Sequence, residues 1–276
     1  MNMSISEFLL HTTIRIETTV PGGISTGTGF FFNFCEDKAA GEHIPVIVTN
    51  KHVIKDSITG TLCFSSIDSS NQNKEHILIT IDNFESQWIL HPKQNIDLAI
   101  LPIANLCKQA ENSHKQLLRA ALSKSYIPNQ QEIIASFSNI EDITVIGYPD
   151  GIWDFHNNKP IVRKGITATA LQYNFQNKPI FLIDAAIFPG SSGSPVFIFN
   201  EGYYYQNNAL IPGSRLKLVG IVYATAQHSI SGDLKIVDIP ATKTVKAESK
   251  IPNNLGVAIH ARELLAFESI LKNIDC

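Results

Sequence analysis

Two different periods of apolar and polar positions run along this chain of 276 residues. Strand signals dominate its first third. "TTIRIETT" alternates residue by residue, "GTGFFFNF" is a Gly-led aromatic run, and "IPVIVTN" is β-branched and apolar. "GTLCFSS", "HILITI", "QWIL" and "DLAILPI" follow at short intervals, separated by Gly, Asn, Asp and Pro. Many short strands with such punctuation predict a sandwich or barrel. The period then lengthens. "LCKQAENSHKQLLRAALSKSY" sets Leu106, Ala110, Leu117, Leu118 and Ala121 among polar residues and predicts one or two helices ending before Pro128. Strands resume with "DITVIGYP", "IVRKGITATALQY", "PIFLID", "SPVFIF", "LKLVGIVYAT" and "LGVAIH". "ARELLAFESILK" places Leu264, Leu265, Phe267, Ile270 and Leu271 near helical spacing, which predicts a C-terminal helix docked on the second β unit. Residues 227–254 are expected to form a long surface loop, with room for a hairpin around "LKIVDI". The resulting division is a β unit over 1–104, a helical connector over 105–140 and a second β unit over 141–276 with its closing helix. Two such units create a cleft, where sites usually form.

Composition narrows the class. Apolar residues make up 44% and charged residues 17%, the balance of a globular chain. A net charge of −3 offers no basic footprint for nucleic acid. No apolar run approaches the roughly 18–20 residues of a membrane span. The N-terminus lacks a basic leader, and its longest apolar run is Phe8-Leu9-Leu10, so a cytoplasmic location is expected. Cys35, Cys63, Cys107 and Cys276 show no C-x-x-C spacing, which argues against a zinc site and for free thiols used in packing.

The candidate chemistry centres on "FPGSSGSPVF", residues 188–197, with Ser191, Ser192 and Ser194 between Gly190 and Pro195. Gly, Ser and Pro are ordinary turn residues, so the stretch reads either as a turn or as a nucleophile segment. A serine nucleophile needs a base, and the base needs a group to orient it. His52 in "VIVTNKHVI" stands where an apolar strand leaves the core. His91 precedes Pro92 in a polar stretch and reads as a surface residue. Asp97 opens the apolar run "DLAILPI", a costly position for a carboxylate without a partner. A His52–Asp97 pair removes that cost and fixes the imidazole tautomer.

The order His52, Asp97, Ser192 resembles that of the chymotrypsin-like serine peptidases. "GTGFFF", "VTNKHVI", "NIDLAILPI", "ITVIGYPDG", "KGITATALQY", "IDAAIFPGSSGSPVF", "KLVGIVYAT" and "LGVAIHARELL" resemble that family's blocks in sequence order and span most of the chain. "DAAIFPG" is similar to the HtrA/Deg branch, and "TNKHV", "ITVIGYP" and "GSPVF" to the glutamyl-endopeptidase branch. No PDZ domain is expected. The resemblance implies an all-β fold of two packed antiparallel β-barrels, with a helical connector and a C-terminal helix. It places G-x-S-G-x-P on Gly190, Ser192, Gly193 and Pro195. Ser192 is then the nucleophile, and the N–H groups of Gly190 and Ser192 are the oxyanion hole. Ser191 stands where digestive relatives carry an Asp that pairs with a new N-terminus. That activation switch is therefore absent, and something else must order Gly190 to Ser192.

The resemblance also places a substrate pocket at Ala186, Ile187, Phe188, Val222, Tyr223, Ala224 and Thr225. No acid lies at Ala186, and Val222 takes the place of a His in Glu-selective relatives. The implied preference is an apolar P1 side chain, small if Thr225 narrows the pocket. Strand 219–225 pairs with the substrate backbone. The implied partner is a polypeptide substrate, without nucleic acid or membrane and with room for a regulatory partner. No metal or cofactor is needed, and no oligomeric state is legible. Other readings are an acyl hydrolase with the same triad, and a latent peptidase fold that binds peptides or is switched on by a partner.

Overall fold

The computed structural model describes residues 3–37, 41–68, 74–206, 209–233 and 246–273; at 68, 74, 224–233 and 246–253 it describes the backbone alone. A short helix, α1 (Ile5–Leu9), opens the chain, capped by Ser4, whose hydroxyl accepts from the Glu7 N–H. Nine strands follow: β1 (Thr13–Val20), β2 (Gly23–Asp37), β3 (Glu42–Thr49), β4 (Thr59–Asp68), β5 (Lys74–Asp82), β6 (Ile89–Leu90), β7 (Ala99–Pro102), β8 (Lys115–Leu118) and β9 (Leu122–Ser123). They form one sheet in the order β5-β4-β1-β2-β3-β7-β6, with β8 added to β4 and β9 lying parallel to β2. Helix α2 (Lys51–Ile54) interrupts this series after β3, and α3 (Ala104–Asn112) after β7. Helix α4 (Gln130–Ser136) leads to the second unit. There β10 (Asp142–Gly147), β11 (Ile161–Thr167), β12 (Ile180–Asp184), β13 (Pro195–Asn200), β16 (Arg215–Asp233) and β17 (Lys246–His260) close into a barrel. A hairpin of β14 (Tyr203–Gln206) and β15 (Ala209–Pro212) lies apart, and α5 (Phe267–Lys272) ends the described chain. The expected all-β, chymotrypsin-like architecture stands. None of the helices described is long and apolar enough to cross a membrane.

The aromatic run of β2 explains how the units meet. Side chains alternate across a strand. Phe30, Phe32 and Phe34 point into a core shared with Ile146, Phe197, Leu218, Ile221 and Ile259 of the barrel. Phe31 points the other way, into the first unit's interior with Ile14, Ile16, Ile47, Leu62 and Phe64. A strand buried on both faces reads as a continuous apolar run. The barrel interior is a third cluster, which includes Val145, Phe181, Ile183, Val196 and Val222.

Four expectations need correction. The helix read through Ala121 stops at Asn112, because His114 takes a left-handed φ of 56° and the edge of β4 recruits 115–118 as a strand. The C-terminal helix packs on β2 and not on the second unit alone: Phe267 meets Phe34 with ring centroids 6.2 Å apart, because the Phe30/Phe32/Phe34 face lies open to it. Of the expected loop 227–254, residues 227–233 and 246–252 are strand. β16 and β17 stay paired from Gln227↔Pro252 to Asp233↔Lys246, beyond register shifts at Val222/Ala224 and Thr225/Gln227. The suggested "LKIVDI" hairpin falls at 234–239, outside the described residues. His91, finally, is buried: its Nε2–H donates to the Glu263 carbonyl (3.0 Å) and its Nδ1 accepts from the Lys93 N–H (3.2 Å). With both nitrogens satisfied, a histidine can enter a core. Burial pushes its pKa down.

Candidate active site

The sequence turns from strand to helix at Asn50, the N-terminal flank of α2, and this places His52 at the rim of the first sheet. Asp97 lies just before β7, which pairs with β3 from Val46↔Pro102 to Thr49↔Ala99, so the two residues arrive side by side. Two hydrogen bonds join them, and a third ties Asn50 to Asp97. Asn50 Nδ2–H donates to the Asp97 carbonyl (2.7 Å), the His52 N–H to Asp97 Oδ1 (3.1 Å), and His52 Nδ1–H to Asp97 Oδ2 (2.5 Å). A carboxylate only accepts, so Nδ1 carries the proton and Nε2 is the basic nitrogen. The imidazole is 45% exposed and the carboxylate 25%. A cavity of about 230 Å³ backs onto Asp97, lined among others by Asn95, Lys178, Tyr223 and Ile259. Burial, and secondarily the Asp97 charge, pushes the Tyr223 phenol up.

The serine turn is built from elsewhere. Ser191 and Ser194 are fully buried, and Ser192 alone of the three reaches the surface. Gly190 and Gly193 sit at φ of 82° and 86°, conformations that favour glycine. A Cβ on Gly193 would lie 1.9 Å from the Thr28 carbonyl oxygen, so no other residue fits there. Thr28 of β2 is the central support. Its N–H donates to the Ser192 carbonyl (2.9 Å), its hydroxyl donates to the Gly190 carbonyl (2.9 Å) and accepts from the Tyr148 N–H (3.1 Å). Its own carbonyl accepts from the Thr49 hydroxyl (2.7 Å). On the barrel side, the Gly193 N–H donates to the Val222 carbonyl and the Val222 N–H to the Ser194 carbonyl. The N–H groups of Ser191 and Ser194 are also used, by the Phe188 and Ser191 carbonyls. The N–H groups of Gly190 and Ser192 donate to no acceptor among the described residues.

β2 ties the two halves together. Gly27 lies beneath Val53 of α2, the residue after His52, and the next residue, Thr28, holds Ser192. No hydrogen bond joins Ser192 Oγ to His52 among the described residues. Around the turn, Ala186 is exposed and Phe188 is 37% exposed, whereas the side chains of Ile187 and Val222 belong to the barrel core. Tyr223 is half-buried. The side chains of Ala224 and Thr225 lie outside the described residues, and their backbone pairs with Val257 and Gly256. The supports Thr28, Thr49, Tyr148 and Arg163 were not foreseen from the sequence. Only Thr28 carried a signal, as the polar residue inside "GTGFFF".

The family model of the trypsin-like peptidase domain matches residues 27–203, more than half of the chain. The chain belongs to the trypsin-like peptidase family. No curated protein matches this trypsin-like peptidase. Among solved structures, the HtrA-type protease AlgW with tripeptide is 16% identical, over 95% of this chain and 60% of that one, with a TM-score of 0.47. The serine endoprotease from Yersinia pestis is 18% identical over 95% and 62%, with a TM-score of 0.44. The active form of the Rv3671c protease from M. tuberculosis is 14% identical over 96% and 82%, with a TM-score of 0.44. The chain thus spans less than two thirds of the first two.

Proposed function

We propose that this trypsin-like peptidase is a serine endopeptidase using Ser192, His52 and Asp97. His52 Nε2 takes the proton of Ser192 Oγ as the oxygen attacks a peptide carbonyl carbon. The carbonyl oxygen gains negative charge and is received by the N–H groups of Gly190 and Ser192, one such donor being worth about 3–4 kcal/mol. His52 returns its proton to the leaving amine. Water, deprotonated by the same ring, then hydrolyses the acyl ester at Ser192. Asp97 keeps the proton on Nδ1 and stabilises the imidazolium.

One observation carries the reading. Within Phe188–Ser194 the N–H groups of Phe188, Ser191, Gly193 and Ser194 are used, and the two without an acceptor among the described residues are those of Gly190 and of Ser192, the one serine of the turn that reaches the surface. The missing Ser192–His52 bond does not count against it, since such bonds often tighten only with substrate. A second reading is a latent peptidase fold that binds peptides or is switched on by a partner.

The finer assignments are part of the proposal. β13 leaves β16 after Pro195↔Ile221, and the Val222 N–H and carbonyl are taken by Ser194 and Gly193, so beyond Val222 β16 has an edge with no partner strand among the described residues. A substrate backbone pairs there by strand addition. The turn Ala186–Ser192 contains no carboxylate, which supports an apolar P1 residue. The free thiols of Cys63 and Cys107 suit a reducing cytoplasm. The division at 104 and 140 is retained, with β8 and β9 lent by the connector to the first sheet. Incubating wild type and Ser192→Ala with an unfolded protein, and sequencing the product termini, tests the reading. Cleavage by wild type alone, after apolar residues, supports it. Equal cleavage by Ser192→Ala overturns it, and binding without cleavage by both favours the second reading.

A further inference from the structure

Arg163 on β11 plays no part in the chemistry above, yet its guanidinium touches both ends of the turn that leads to Ser192. Nη1–H donates to the Ala186 carbonyl (2.5 Å) and to Ser191 Oγ (3.0 Å). Ser191 Oγ also accepts from the Phe188 N–H (3.3 Å). Nε and Nη2 are buried and meet no acceptor among the described residues. A guanidinium held by neutral oxygens only, with two donors unused, is costly to bury. Burial pushes its pKa down to about 10, against the pull of Asp150, so it remains charged at neutral pH.

Between its two contacts, at Ala186 and Ser191, lies the 189–190 peptide. The Pro189 carbonyl accepts from the Asp150 N–H (2.6 Å). The 189–190 peptide is trans and planar, so the Gly190 N–H points the opposite way. Glycine at φ 82° tolerates rotation of that peptide, and rotation would turn the N–H away. Anchors on both sides prevent it. Thr28 supplies the one after Gly190, and Arg163 the one before and at Ser191.

We infer that Arg163 is a positioning residue that locks the turn 186–191 and so aims the Gly190 N–H, setting the site from within the chain and without a cut that frees a new N-terminus. The inference rests on the reading of Ser192 as nucleophile. The buried Nε and Nη2 make Arg163 a holder of the turn and not a reader of substrate charge.

The test uses the full chain with Arg163→Met and Arg163→Lys. Arg163→Met is expected to slow fluorophosphonate labelling of Ser192 about 100-fold, the cost of one misplaced oxyanion donor. On a peptide substrate kcat falls and KM stays within about twofold, as for an interaction made only in the transition state. Arg163→Lys recovers part of the rate, since an ammonium makes a point contact where the guanidinium makes two. In a Ser192→Ala background, Arg163→Met is expected to raise amide hydrogen exchange at least about tenfold across 186–194 and nowhere else, because local opening exposes that segment alone. Wild-type labelling rates in Arg163→Met, or unchanged exchange at 186–194, overturn the inference. Should Arg163→Met fail to fold, Ser191→Ala removes one of the two contacts and is expected to show the same segment-limited rise; a uniform rise across the barrel overturns the inference. Wild type that never labels defeats the nucleophile reading, and the exchange comparison still decides the lock.

Discussion

The His52–Asp97 pair and the Ser192 turn are held in contrasting ways. The pair is self-contained: Asn50, His52 and Asp97 make three mutual hydrogen bonds, all within the first sheet. The turn borrows its supports from across the chain, from Thr28 on β2, Tyr148 after β10, Arg163 on β11 and Val222 on β16. One half of the machinery is thus specified by neighbouring residues of one sheet. The other half exists only when both units are folded and packed. Disturbing the contact between units should leave the pair intact while unmaking the proposed oxyanion donors.

Substitutions within the machinery set the upper end of that contrast. Ser192→Ala and His52→Ala are each expected to lower kcat about 10⁶-fold, and the double variant no further, as for groups that act as a unit. Asp97→Asn is expected to cost about 10⁴-fold by releasing the Nδ1 proton from its acceptor, with Nδ1–H no longer visible by nitrogen-resolved NMR at its carboxylate-bonded shift. Equal losses in all three would mean that Asp97 does more than orient the ring.

Acid separates the two regions at a smaller scale. His260 is buried against Phe181, with Nε2–H donating to the Tyr173 carbonyl. Burial, aided by Arg262, pushes its pKa from 6.5 to about 4. Between those values the unfolded ring takes a proton and the folded ring does not. The unfolded state then binds more protons, so stability falls as pH falls, by up to about 3 kcal/mol. Denaturant titrations at pH 7 and pH 4.5 are expected to show this fall in wild type and a much smaller one in His260→Gln. Thr28→Val should have the smallest effect of the series on stability, about 1–3 kcal/mol for two lost hydroxyl bonds. It is expected to slow labelling of Ser192 about tenfold and to leave the His52–Asp97 proton signal in place.

This contrast also governs what the sequence disclosed. The strands of both units were legible, and the proposed His52, Asp97 and Ser192 stood out, because each lies in a contiguous block with its own period or motif. Gly190 and Gly193 were legible through the G-x-S-G-x-P pattern of the resemblance, and the structure gives the reason for it, since both take a positive φ that favours glycine. The supports of the turn were not, since Thr49, Tyr148 and Arg163 are single residues on separate strands, brought together only by register. His91 and the end of α3 were misread for a related reason. A polar residue looks exposed until the carbonyl that satisfies it, here that of Glu263, arrives from 172 residues away. The apolar positions of 115–118 fit a helix until β4 offers an edge. The pairing of 227–233 with 246–252 was hidden by Lys, Ser and Pro, which read as loop residues when no partner strand is in view.

The most direct test of the site is fluorophosphonate labelling of wild type beside Ser191→Ala, Ser192→Ala and Ser194→Ala. Ser191 and Ser194 are buried, which leaves Ser192 as the accessible hydroxyl of the turn. Labelling is expected in wild type and to be abolished by Ser192→Ala alone. Persistent labelling of Ser192→Ala, or none in folded wild type, would contradict the assignment of Ser192 as an activated nucleophile.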